Sequence, residues 1–153
     1  MYEINPLYSF EKDLLIFPIY GNGELLMYQG RYFGDNPDTP KYLTYGYKGD
    51  VLHLIGKHDE PTLVCTEDLI SAVKVSTVMN AMPLWGAHMP FKQAIRLSKR
   101  FNTLVLWLDM DKAKESLKAA SKYAGLFNEV KSVVTEKDPK EYNHEEIRTF
   151  LRK

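Results

Sequence analysis

The sequence predicts an α/β fold, an open parallel or mixed sheet flanked by helices, preceded by a small β-rich part. Three observations carry the prediction. From Pro61 onward, short apolar runs alternate with segments of helical period long enough to cross back over a sheet. Thr103 to Leu108 is a continuous apolar run, the pattern of a buried strand. Ahead of Pro61 the chain reads instead as short strands joined by polar turns.

The first hairpin is expected to join Leu14 to Tyr20 with Glu24 to Gln29 through Gly21-Asn22-Gly23, because an Asn-Gly pair tolerates the positive φ of a tight turn. Arg31 to Pro40 reads as a loop, since Pro37, Thr39 and Pro40 surround acidic residues and resist regular structure. Extended segments follow at Lys41 to Tyr45 and Val51 to Ile55, separated by the Lys48-Gly49-Asp50 turn. Beyond Pro61, strands are expected at Thr62 to Thr66, Ala81 to Trp85, Thr103 to Leu108 and Val130 to Val134. Helices are expected at Asp68 to Val75, Pro90 to Arg100, Lys112 to Tyr123 and Glu145 to Leu151. The change of pattern divides the chain into residues 1–60 and 61–153.

Cys65 is the only cysteine, which excludes an internal disulfide framework and a cysteine-based zinc cluster. No basic region leads into an apolar run with a cleavage site, and no apolar run approaches a membrane span. The expectation is a cytoplasmic protein with no membrane partner. Twenty basic and twenty acidic residues cancel, so net charge alone does not draw the chain to nucleic acid. The halves differ: residues 1–60 hold five basic and nine acidic side chains, and residues 61–153 hold fifteen and eleven.

Glu67 follows one predicted strand, and Asp109 and Asp111 follow another. In an open α/β sheet, neighbouring strand ends deliver their loops to one crevice. Asp109 and Asp111 are two apart, so an extended strand end points both to one side, with Met110 facing away. Gathered carboxylates suit a hard cation, Mg²⁺ or Mn²⁺, rather than zinc. Asp111 equally fits an ordinary cap for the helix beginning near Lys112.

Lys92, Arg96 and Arg100 repeat at helical spacing, as do Lys114, Lys118 and Lys122. Each stripe fits a phosphate-contacting face or a plain solvated one, with Phe91, Ala94 and Ile95, or Ala113, Leu117 and Ala120, turned to the core. Arg31, Lys41 and Lys48 are interspersed with Tyr28, Tyr32, Tyr42, Tyr45 and Tyr47, an arrangement that serves base stacking or simple sheet packing. His53, His58, His88 and His144 have no metal-ligand spacing, and no glycine-rich run ends in Lys-Ser/Thr to cradle a phosphate.

Phe17-Pro18-Ile19, Tyr28-Gln29-Gly30-Arg31, Pro40-Lys41-Tyr42-Leu43-Thr44 and Tyr47-Lys48-Gly49-Asp50-Val51-Leu52 resemble successive motifs in the catalytic core of bacterial and phage-type DNA primases. Thr66-Glu67, Leu108-Asp109-Met110-Asp111-Lys112-Ala113 and Lys137-Asp138-Pro139 resemble the Toprim part of that core. The resemblance implies a Toprim-like sheet at 61–153 behind a reduced basic subdomain at 1–60, without the zinc-binding module or the helicase. It gives Glu67, Asp109 and Asp111 the catalytic, metal-binding role and makes Asp138 a later acidic contributor. Arg31, Lys41 and Lys48 take the basic positions near template and incoming nucleotide.

The implied activity is synthesis of short RNA primers on single-stranded DNA from nucleoside triphosphates, with Mg²⁺ or Mn²⁺. The implied partner is a replicative helicase or template-recognition protein. A Toprim nuclease and a catalytically weak DNA- or partner-binding replication module are the alternatives. The sequence departs from the family pattern at named positions. In Glu67-Asp68-Leu69-Ile70-Ser71, Asp68 replaces the glycine and Ser71 the second acid of Glu-Gly-x-x-Asp. Lys114-Glu115 replaces a Gly-Arg continuation, and Lys140 stands where an acid is common.

Overall fold

The computed structural model describes residues 5–21, 23–46, 49 and 51–152. The chain forms two units, one up to Val51 and one from Leu52. Residues 52–60 thus go with the second unit, where Ile55 forms an isolated antiparallel bridge to Ala81 in place of the strand expected at Val51 to Ile55.

In the first unit, β1 (Leu7–Ser9), β2 (Leu14–Gly21), β3 (Glu24–Tyr32) and β4 (Tyr42–Gly46) make an antiparallel meander in chain order. The β2–β3 ladder runs from Leu14↔Tyr32 to Gly21↔Glu24, with a register shift between Ile19 and Tyr20. Gly23 adopts φ +82°, the left-handed conformation the turn requires. Alternation along the strands buries Phe17, Ile19 and Met27 on one face and Leu14 on the other. Leu14 lies against Gly30, where a Cβ would stand 2.6 Å from its Cδ2, so this packing needs glycine. Tyr28 and Tyr45, paired across β3 and β4, stack with ring centres 4.5 Å apart. Asn22, Tyr47, Lys48 and Asp50 lie outside the described residues.

The second unit is a parallel sheet in the order β6-β5-β7-β8, from β5 (Thr62–Thr66), β6 (Asn80–Pro83), β7 (Thr103–Trp107) and β8 (Glu129–Val133). Its crossovers are α1 (Leu69–Val75), α2 (Phe91–Ser98) and α3 (Ala113–Tyr123), and α4 (His144–Arg152) follows β8. Strand period sorts the core into two layers. Leu63, Cys65, Leu104 and Leu106 pack with Ala94, Leu97 and Tyr123 from α2 and α3, whereas Val64, Val105 and Trp107 pack with Ala72, Val75 and Ile147 from α1 and α4. Both faces of the central strands are therefore covered, which is why they read as unbroken apolar runs.

The helix faces differ from expectation. On α2 the buried residues are Gln93, Ala94 and Leu97, while Phe91 and Ile95 are 44% and 40% exposed. On α3 the buried residues are Ser116 and Tyr123, while Leu117 is 59% exposed. On α3 the two buried residues are also held by polar bonds. The Ser116 hydroxyl reaches the Leu106 carbonyl at 3.4 Å and the Ser132 hydroxyl at 2.6 Å, and the Tyr123 hydroxyl donates to the Met89 carbonyl at 2.5 Å.

Candidate functional site

The register Thr66↔Pro83 and Thr66↔Trp107↔Val133 brings the carboxyl ends of all four strands into line, and the chain leaving each end builds the candidate site. Glu67 leaves β5 with its carbonyl held by the Gly86 N–H at 3.0 Å. Trp85, just before that glycine, takes φ +57°, a conformation costly for a large side chain, so the β6 end is a shaped turn.

Asp68 is the N-cap of α1. Its carboxylate accepts from the Ser71 N–H at 3.0 Å and the Ser71 hydroxyl at 2.9 Å. It also receives the Lys140 ammonium at 3.0 Å, and the same Nζ stands 2.7 Å from Asp138. The segment carrying Lys140 is fastened to β7: Trp107 Nε1 donates to the Thr135 hydroxyl, which donates to the Lys137 carbonyl, both at 2.8 Å. A 3-10 turn, Pro139–Glu141, then packs on α1.

Asp109 leaves β7 in extended backbone, but the extended Asp109-Met110-Asp111 geometry does not form. Met110–Lys112 is a 3-10 turn closed by the Lys112 N–H on the Asp109 carbonyl at 2.8 Å. Asp111 is thereby carried to the surface, where its carboxylate pairs with Lys112 at 3.2 Å. The cap reading also has no support, since α3 begins without a side-chain cap.

The acids therefore divide by partnership. Glu67 Oε2 and Asp109 Oδ1 are buried with no hydrogen-bond partner, a costly state for a carboxylate. Burial, and then the Asp109 and Asp111 charges, push the Glu67 carboxyl up from its usual range. Burial, and then the Asp138 charge, push the Asp109 carboxyl up to about 6. Burial acts the same way on Asp68, but the Ser71 N–H and Lys140 outweigh it and hold that carboxyl below the usual range. Burial disfavours charge on Lys140, yet Asp138 and Asp68 overcome it and raise its pKa. Glu67, Asp109, Asp111 and Asp138 thus share one end of the sheet. Among the described residues, however, no three or more His, Cys, Asp or Glu side chains are arranged to hold a metal ion. One oxygen each of Glu67 and Asp109 is left without a bond, and Asp138 is taken by a lysine, at a position where sequence showed only a departure from pattern.

Of the basic candidates, Lys92 and Arg96 lie on the exposed face of α2. Arg100 falls beyond the Lys99 C-cap, with its guanidinium 5.3 Å from the centre of the Phe101 ring, so the three do not form one helical stripe. Lys114, Lys118 and Lys122 are exposed on α3. In the first unit Arg31 sits over the Phe33 and Tyr42 rings at 5.2 and 5.7 Å, and Lys41 is exposed next to Tyr42. Lys48 lies outside the described residues. No helix among those residues is long and apolar enough to cross a membrane.

No protein-family model matches the chain, and no curated protein matches it in sequence. In structure it is similar to the Aquifex aeolicus primase in its zinc-binding and RNA polymerase domains, with TM-score 0.73 and 20% identity over 92% of this chain and 40% of that one. It is also similar to the DnaG catalytic core, with TM-score 0.74 and 18% identity over 92% of this chain and 52% of that one. The chain therefore spans about half or less of the structures it matches. At these identities the likeness shows the fold, a Toprim-like α/β sheet preceded by a small antiparallel subdomain.

Proposed function

We propose that this chain is a catalytically weak nucleic-acid-binding module of a replication apparatus, built on a primase-type core with a reduced cation site. The observation that carries the reading is the lysine inside the acidic crevice: Lys140 pairs with Asp68 and Asp138, the latter one of the acids the family resemblance assigns to metal. Glu67 and Asp109 are left to hold a divalent ion of the Mg²⁺ or Mn²⁺ class, which when bound supplies charge for phosphate oxygens. Asp138 enters the proposal as the partner of Lys140, and Asp111 as that of Lys112.

The remaining contacts are electrostatic. Lys92 and Arg96 meet backbone phosphates of single-stranded DNA, and Arg31, Lys41 and Lys48 lie along the path of template or nucleotide. The cytoplasm is the proposed location, and a replicative helicase or a template-recognition protein the proposed partner. A second reading is DNA-templated synthesis of short RNA primers by nucleotidyl transfer. It is favoured by the two buried, unpartnered carboxylate oxygens, which a cation at a working site would satisfy.

Fluorescence anisotropy with labelled single-stranded DNA, run beside an assay of labelled nucleoside triphosphates on diverse templates with Mg²⁺ or Mn²⁺, separates the two. The module reading expects binding that survives Asp109→Asn and no more than traces of product. Abundant templated product that Asp109→Asn abolishes would replace it with the primer-synthesis reading. Metal-dependent shortening of the DNA without nucleotide incorporation would favour nuclease chemistry instead, and absence of DNA binding would refute the module.

A further inference from the structure

We infer that Lys140 is a built-in cation standing in place of a second divalent ion, so that the acidic crevice takes one such ion and not two. The inference rests on the assignment of Glu67 and Asp109 to a cation and concerns what the other acids do. Asp68 arrives from the end of β5 and Asp138 from the segment after β8, seventy positions apart in the chain. The Lys140 ammonium joins them, at 3.0 Å from Asp68 Oδ2 and 2.7 Å from Asp138 Oδ2. With the N–H and hydroxyl of Ser71, Lys140 completes a set of three donors on the buried Asp68 carboxylate. Such a carboxylate offers a metal little.

Steric and electrostatic arguments agree. A Mg²⁺ ion binds carboxylate oxygen at about 2.0–2.1 Å. An ion on the oxygens that Lys140 holds would sit against the ammonium, and like charges at that distance repel strongly in a half-buried site. The Oδ2 atoms of Asp68 and Asp138 cannot serve both at once. Glu67 and Asp109 have no such occupant, because their buried Oε2 and Oδ1 atoms lack hydrogen-bond partners. Lys140 also ties the Pro139–Glu141 turn to Asp68, the N-cap of α1, so it clamps the two carboxylates together.

The test is the number of Mn²⁺ ions bound per chain, followed by the paramagnetic resonance signal of free Mn²⁺ during titration of the full chain. Melting temperatures in chelator and in Mn²⁺ accompany it. The parent and Lys140→Arg are expected to bind one ion, and Lys140→Ala two. In chelator Lys140→Ala should melt about 5 °C or more below the parent, a gap that Mn²⁺ narrows. If Lys140→Ala does not fold in chelator, it and Lys140→Gln are refolded in Mn²⁺ and counted there, with two ions again expected. Two ions on the parent, or one on both parent and Lys140→Ala, overturn the role of Lys140 and leave the Glu67 and Asp109 assignment standing. No ion on the parent but one on Lys140→Ala supports the displacement by Lys140 and removes the cation from the proposed function. No ion on either overturns both.

Discussion

Asp109→Asn should make the metal-free protein more stable at neutral pH, because the carboxylate proposed to hold a cation strains the fold that carries it. Burial and the Asp138 charge raise the Asp109 carboxyl from 3.8 to about 6. The sign follows from proton linkage: the folded chain holds this proton more tightly than the unfolded chain, so stability falls as pH climbs from about 4 to above 6. A displacement of about two pH units corresponds to about 3 kcal/mol at 1.36 kcal/mol each. Asp109 is only half-buried, so solvent screening reduces this to about 1–1.5 kcal/mol at pH 7.5. Asparagine keeps the shape and removes the charge, and its advantage should shrink towards zero near pH 4. Urea unfolding in chelator at both pH values measures it. An Asp109→Asn chain no more stable than the parent at pH 7.5, or equally favoured at both, would refute the electrostatic argument. Excess Mn²⁺ should raise the parent more than the variant, since the variant lacks the ligand charge.

Two further outcomes can be measured directly. Asn80→Leu should cost about 3 kcal/mol in urea unfolding with an unchanged slope, because the buried amide accepts from the His58 N–H and donates to the His58 and Glu60 carbonyls, all at 3.0 Å; a loss under about 1 kcal/mol would mean that water replaces those bonds. Lys92→Gln with Arg96→Gln should reduce the slope of log affinity for single-stranded DNA against log salt by about 1.4, at about 0.7 for each lost phosphate contact, and Arg100→Gln should leave it unchanged; equal slopes for all would return the α2 face to an ordinary solvated surface.

Strands were legible where both faces are covered, because a doubly buried strand needs no alternation to be seen. Thr62–Thr66 and Thr103–Trp107 fall within a residue of expectation for that reason. Leu7–Ser9 was not legible, since Leu7 is 57% exposed and the segment is held by backbone pairing to β2 rather than by an apolar face. Helix existence was legible and helix rotation was not. Apolar periodicity placed Phe91, Ile95 and Leu117 inside, but Gln93 and Ser116 occupy the buried positions, and a local apolar count cannot weigh the Ser116 bond to Ser132 across another element.

The candidate site divides along the same physical line. Glu67 and Asp109 could be read from sequence because they lie one and two residues beyond the ends of adjacent strands of a parallel sheet, and neighbouring strands in that architecture end together. The position of Asp111 depended on whether three residues after the strand stay extended or close a turn, a local choice that Asp-x-Asp spacing leaves open. The role of Lys140 required tertiary structure, because its partner Asp68 lies 72 residues away and the two meet only once the Pro139–Glu141 turn seats on α1. Three donors satisfy Asp68, while Glu67 and Asp109, whose charges act on one another and on Asp68, keep buried oxygens without a hydrogen-bond partner. Folding stability alone favours bonding every buried carboxylate or replacing it. Those two unbonded oxygens beside a fully bonded third are the feature on which the proposed single-ion reading rests, and the count of bound Mn²⁺ decides it.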